Sequence, residues 1–64
     1  MDFIVVVKAW NGTFYLTENL DFRDALGDEV LWDGAMWTEQ TIENYIKEDA
    51  KEHEYNYFIE RLGG

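Results

Sequence analysis

Fourteen carboxylates and one imidazole are the groups in this 64-residue chain with the clearest chemical use. Neither serine nor cysteine occurs, so the usual hydroxyl and thiol nucleophiles are absent. The four threonines, Thr13, Thr17, Thr38 and Thr41, stand in no recognisable nucleophile setting. His53 follows Asp49 by four residues, a spacing that brings two side chains together on a helix. Such a pair could supply a general base. The plainer reading, and the preferred one, is a ring at the core edge bonded to a neighbouring carboxylate. Carboxylate pairs are easily drawn among fourteen acids, but acid–base work needs a concave site that drives two pKa values apart. A chain this short has little volume for one. The acids Asp21, Asp24, Asp28, Glu29 and Asp33, before Gly34, lack the alternate-residue spacing of a calcium loop. No glycine-rich loop follows a strand and opens a helix, so nucleotide binding has no support. The sequence therefore predicts no enzyme, no metal site and no cofactor.

The charge balance points instead to binding. Fourteen acids against five bases leave a net charge of −9. Such a surface repels nucleic acid phosphates and anionic lipid and attracts basic protein surfaces. Glu18, Asp21, Asp24, Asp28, Glu29 and Asp33 place six acids within sixteen residues, opposed only by Arg23. Absence of cysteine fits a reducing compartment, and the expected location is the cytoplasm. The apolar run Phe3 to Val7 is too short for a signal peptide or a membrane span.

The elements that must carry these groups form one domain over residues 1–64. Asp2 to Trp10 reads as a strand, Asn11-Gly12 as a type I′ turn, and Thr13 to Thr17 as the return strand. That turn sets Trp10 opposite Thr13, Ala9 opposite Phe14, Lys8 opposite Tyr15 and Val7 opposite Leu16. One face then collects Phe3, Val5, Val7, Ala9, Phe14 and Leu16, the core face. The other carries Ile4, Val6, Lys8, Trp10, Thr13, Tyr15 and Thr17. It holds more apolar surface than a solvated face needs, so either another segment covers it or a partner does. Asn19 to Leu26 suits a short helical turn capped by Asp21 and stopped by Gly27, with Phe22, Ala25 and Leu26 inward. Val30-Leu31-Trp32 and Ala35-Met36-Trp37 flank Asp33-Gly34 as a second hairpin, with a bulged single strand as the alternative. Thr38 opens the main helix, on which Ile42, Tyr45, Ile46, Ala50 and His53 share one side and Glu43 precedes Lys47 by four. From Glu54 the alternation of Tyr55, Tyr57 and Ile59 with Asn56, Phe58 and Glu60 predicts a last strand; continuation of the helix to Leu62 is the alternative. The expected class is α+β: a small antiparallel sheet, from the N-terminal hairpin and further strands, packed against one main α-helix.

Three functional readings follow. On the helix, Glu48 and Glu52 stand about 6 Å apart along the axis on the outward side, and successive phosphates of one DNA strand are about 3.4 Å apart in rise. Together with the acids from Glu18 to Asp33, they could fill a DNA-binding groove. In size, charge and aromatic content the whole chain resembles the small acidic phage-encoded inhibitors that mimic DNA, including anti-CRISPR and anti-restriction proteins. That resemblance implies a basic, nucleic-acid-binding partner such as a Cas effector or a restriction enzyme. It assigns no residue roles, having no diagnostic motif. A second reading begins at Arg61-Leu62-Gly63-Gly64. With the expected order of elements, this ending resembles the β-grasp ubiquitin-like and sulfur-carrier proteins, which would make Gly64 the adenylated carboxylate. A third takes the face of Ile4, Val6, Trp10 and Tyr15 as a site of self-association or docking.

Overall fold

The computed structural model describes residues 2–62. It is an α+β domain: strand β1 (Phe3–Ala9), β2 (Gly12–Leu16), β3 (Phe22–Arg23), a 3-10 turn (Asp28–Val30), helix α1 (Glu39–His53) and β4 (Asn56–Arg61). The four strands form one antiparallel sheet in the order β3-β2-β1-β4, and α1 covers one face. Phe3, Ile4, Val5, Val6 and Val7 of the central strand are all buried. A strand covered on both faces needs an unbroken apolar run, which Phe3 to Val7 supplies.

On the helix side, Phe3, Val5, Val7 and Leu16 pack with Trp32, Ile42 and Ile46. On the other side, Val30 and Leu62 cover Ile4 and Val6, with Tyr15 beside them. The chain itself thus covers much of the mixed face, while Trp10, 97% exposed at the hairpin tip, stays in solvent.

The hairpin keeps its predicted faces and shifts its register. Ala9 pairs with Gly12, Lys8 with Thr13, Val7 with Phe14 and Val6 with Tyr15. Trp10 and Asn11 are the turn residues, and Gly12 alone in the turn takes a positive φ, 139°. A two-residue displacement leaves every side chain on its original face, so face segregation cannot distinguish the two registers.

Beyond β2 the chain forms no helix over Asn19 to Leu26. Buried Thr17 turns it back instead: its Oγ1 accepts the N–H groups of Asn19 (3.3 Å) and Asp21 (3.2 Å), and its own N–H donates to the Asp21 carbonyl (2.8 Å). Leu20 takes φ 67° inside this turn. Side-chain bonds of this kind compete directly with helix formation. Phe22 and Arg23 then pair with Leu16 and Tyr15, and Asp21 caps nothing. Phe22, Ala25 and Leu26 are exposed rather than inward, and Gly27 precedes the 3-10 turn instead of ending a helix.

The second hairpin is also absent. Trp32 bridges Phe3 of β1 through two backbone hydrogen bonds of 2.9 Å each, and residues 34–37 form bends. Asp33 Oδ1 accepts the Ala35 N–H at 2.8 Å, which closes this segment with a side-chain turn. The helix matches its expected limits. Thr38 Oγ1 accepts the Thr41 N–H, and Glu54, at φ 58°, ends the helix with its N–H on the Ala50 carbonyl. Ile42, Ile46 and Ala50 are buried, whereas Tyr45 and His53 remain exposed. β4 runs antiparallel to β1 with Val5 opposite Ile59, and Arg61 grips both Glu39 carboxylate oxygens, tying the end of β4 to the start of α1. Glu43–Lys47 is not among the described ion pairs.

Trp32 is fully buried, and its Nε1–H donates to the Leu16 carbonyl at 2.8 Å. Replacing a buried aromatic by alanine costs about 3–5 kcal/mol, while a chain of this length has roughly 3–10 kcal/mol in total. Trp32→Ala is therefore expected to leave the chain largely unfolded by circular dichroism. Trp32→Phe keeps the stacking but strands the Leu16 carbonyl, an expected loss of about 1–3 kcal/mol in urea unfolding. An unchanged midpoint for Trp32→Phe would contradict this role.

Candidate functional site

None of the fourteen carboxylates is buried. Among the described residues, arginine pairs only with Glu29 (to Arg23 at 3.0 Å) and Glu39 (to Arg61 at 2.9 Å). The acids anticipated as a binding surface fall into two groups. Asp24, Asp28 and Glu29 are exposed on the segment that leads to Val30, and Val30 packs on the sheet face opposite α1. Glu48 and Glu52 are exposed on α1 and border a shallow depression with Tyr45, Asp49 and Lys51. The sheet lies between the two groups. Glu18 is half-buried in the Thr17 turn, Asp21 is exposed beside it, and Asp33 is exposed while its side chain closes its own turn. Trp10 is free at the hairpin tip; Tyr15 is half-buried and borders an outer-face groove with Val6, Leu26 and Phe58.

A second constellation joins residues distant in sequence. The last turns of α1 bring Asp49, Glu52 and His53 together, with one polar atom of each within 4.8 Å of the others. The Tyr55 hydroxyl donates to Asp49 Oδ2 at 2.5 Å, and His53 Nδ1 lies 3.2 Å from Asp49 Oδ1. Beside them opens a groove of about 400 Å³ walled by Phe14, Phe22, Tyr45 and Tyr55 over Val7. The spacing of Asp49 and His53 was visible in the sequence. The meeting of Asp49 with Phe14, Phe22 and Tyr55 was not, because it depends on how β2, β3 and the helix end pack. The expected Asp49–His53 contact is present as a contact between an exposed ring and a half-buried carboxylate.

No family model, curated protein or solved structure matches the chain. What is defined is a class: a four-stranded antiparallel sheet with one main helix, whose acids all reach the surface. No helix among the described residues is long and apolar enough to cross a membrane. The order expected for a β-grasp carrier departs at the segment after the hairpin, where β3 stands in place of a helix. Gly63 and Gly64, on which that reading turns, lie outside the described residues.

Partial burial raises the Tyr55 hydroxyl pKa well above its ordinary value of 10.0, and the hydrogen bond to Asp49 and that residue's charge raise it further. The folded chain then holds a proton that the unfolded chain loses above about pH 10, so this contribution to stability is present below that pH and fades as the pH rises. Urea unfolding at rising alkaline pH is expected to show a fall in stability that Tyr55→Phe removes in part. Identical pH profiles for the two proteins would refute the assignment.

Proposed function

We propose that this chain is a non-catalytic inhibitor that occupies the nucleic-acid-binding surface of a basic host-defence protein, presenting carboxylates where DNA presents phosphates. The observation that carries the reading is the complete surface display of the acids, with few of them neutralised by arginine. The molecule measures 29 Å along its longest axis, over which a DNA duplex carries about 17 phosphates. Fourteen surface carboxylates approach that number. Because they lie on both sides of the sheet, the molecule fits a cleft that grips two sides better than a flat basic patch. Such charge chiefly accelerates encounter and excludes wrong partners. Trp10 supplies what charge does not, a large apolar anchor of the kind that dominates interface energies. A Cas effector or a restriction enzyme has the required basic groove.

The test is capture from bacterial lysate, with washes across a salt series and elution by duplex DNA. A nucleic-acid-binding protein that is lost at high salt and displaced by duplex is the expected result. Asp24→Lys and Asp28→Lys together with Asp33→Asn, the last chosen to keep an acceptor for the Ala35 N–H, should abolish capture without lowering stability. Trp10→Ala should weaken capture by about tenfold or more, as loss of an interface hot spot does, again with stability unchanged. Capture that is indifferent to both salt and charge reversal would sink the reading.

A further inference from the structure

We propose that the groove between the C-terminal half of α1 and the β1–β2 hairpin receives an arginine side chain from a protein partner. This deepens the reading above, since it supposes a basic partner, and it names the residue class that the groove would take.

The groove sets aromatic walls beside carboxylates. Phe14, Phe22, Tyr45 and Tyr55 give it aromatic walls, and its volume of about 400 Å³ has room for one long side chain. Phe22 and Tyr55 stand edge to face, 6.4 Å apart, and Phe22 is 44% exposed. Asp49 and His53 line the groove, and the Asp49 side chain is only 24% exposed; Glu52, which borders the adjoining depression, has a carboxylate oxygen within 4.8 Å of polar atoms of both. Tyr55 fixes the Asp49 carboxylate by donating to Oδ2. Among the described residues, no lysine or arginine pairs with Asp49 or Glu52. Lys51 borders the adjoining depression with Asp49 and Glu52 but pairs with neither, and His53 counters the carboxylates only when protonated. Two carboxylates this close repel each other, and more strongly beside apolar walls than in open water.

A guanidinium relieves that repulsion and uses the walls as well. It is planar and weakly hydrated, it stacks on aromatic faces, and its fork of N–H donors matches a carboxylate. Lysine brings a compact, strongly hydrated ammonium, which gives up more on entering an apolar groove. A metal ion could sit on the three donors of Asp49, Glu52 and His53, but it would leave the aromatic walls unused.

The experiment is an NMR titration of isotope-labelled protein with the capped peptide Gly-Gly-Arg-Gly-Gly, its citrulline analogue and its lysine analogue. The arginine peptide should shift the ring signals of Phe22 and Tyr55 and the amides of Asp49 and His53, with the citrulline peptide at least about tenfold weaker. Asp49→Asn, which keeps an acceptor for Tyr55, should weaken the arginine peptide by about tenfold. Phe22→Leu, at a half-exposed position with little effect on folding, should weaken it by about fivefold. Equal binding of the citrulline or lysine peptide, or shifts scattered over the acidic surface, would overturn the assignment. The protein carrying Asp24→Lys, Asp28→Lys and Asp33→Asn separates the two readings: it should lose the captured partner and keep the peptide shifts. A salt-sensitive partner retained by a protein that shows no groove shifts would remove the arginine receptor and leave the acidic surface standing.

Discussion

The architecture depends on how Trp32 meets the first strand. β2 leaves the side of β1 at Thr17, so the Phe3 N–H and carbonyl on that side would be left without partners. Buried backbone groups of this kind must be satisfied, and Trp32 does so from a segment that is otherwise irregular. Its ring then stacks on Phe3 (5.7 Å) and meets Trp37 (6.2 Å), which in turn meets Tyr45 of the helix (6.3 Å). One residue thereby joins the sheet, the connecting segment and α1. Two residues earlier, Val30 is pinned to the opposite face of the sheet. A chain without disulfides holds a long connection in place by this arrangement.

The same arrangement explains where the charge goes. The interior is filled by aromatic and branched side chains, and a carboxylate placed there would need a partner for its charge; none of the fourteen is buried. The acids between Asp24 and Glu29 ride on the segment that Val30 anchors to the outer face, and those of α1 ride on the far side of the molecule. Mutual repulsion of so many like charges works against compactness. Density of the core is what opposes it. The acidic exterior and the aromatic interior are two consequences of one composition.

Much of this was legible in the chain, and the failures have physical causes. β1, the span from Thr38 to His53 and the last strand follow from apolar periodicity and from a capping threonine. Hairpin faces were readable but not the register, because side-chain alternation repeats every two residues and Asn11-Gly12 also serves a turn centred on Trp10 and Asn11. Between Asn19 and Trp37 local propensity was overridden: Thr17 turns the chain through its side chain, and Trp32 is claimed by Phe3 before Asp33-Gly34 can close a hairpin. The acids were legible as a composition. Their division between two sides of the sheet was not, because it depends on where Val30 docks.

If the acidic exterior stands in for DNA, this chain and a duplex must compete for one site on a defined complex. Labelled duplex bound to the captured partner would be followed by fluorescence anisotropy while this chain is added. Full release of the duplex is expected, with an apparent affinity that falls as duplex concentration rises. Binding of the chain with the duplex still in place, as a ternary complex, would contradict DNA mimicry.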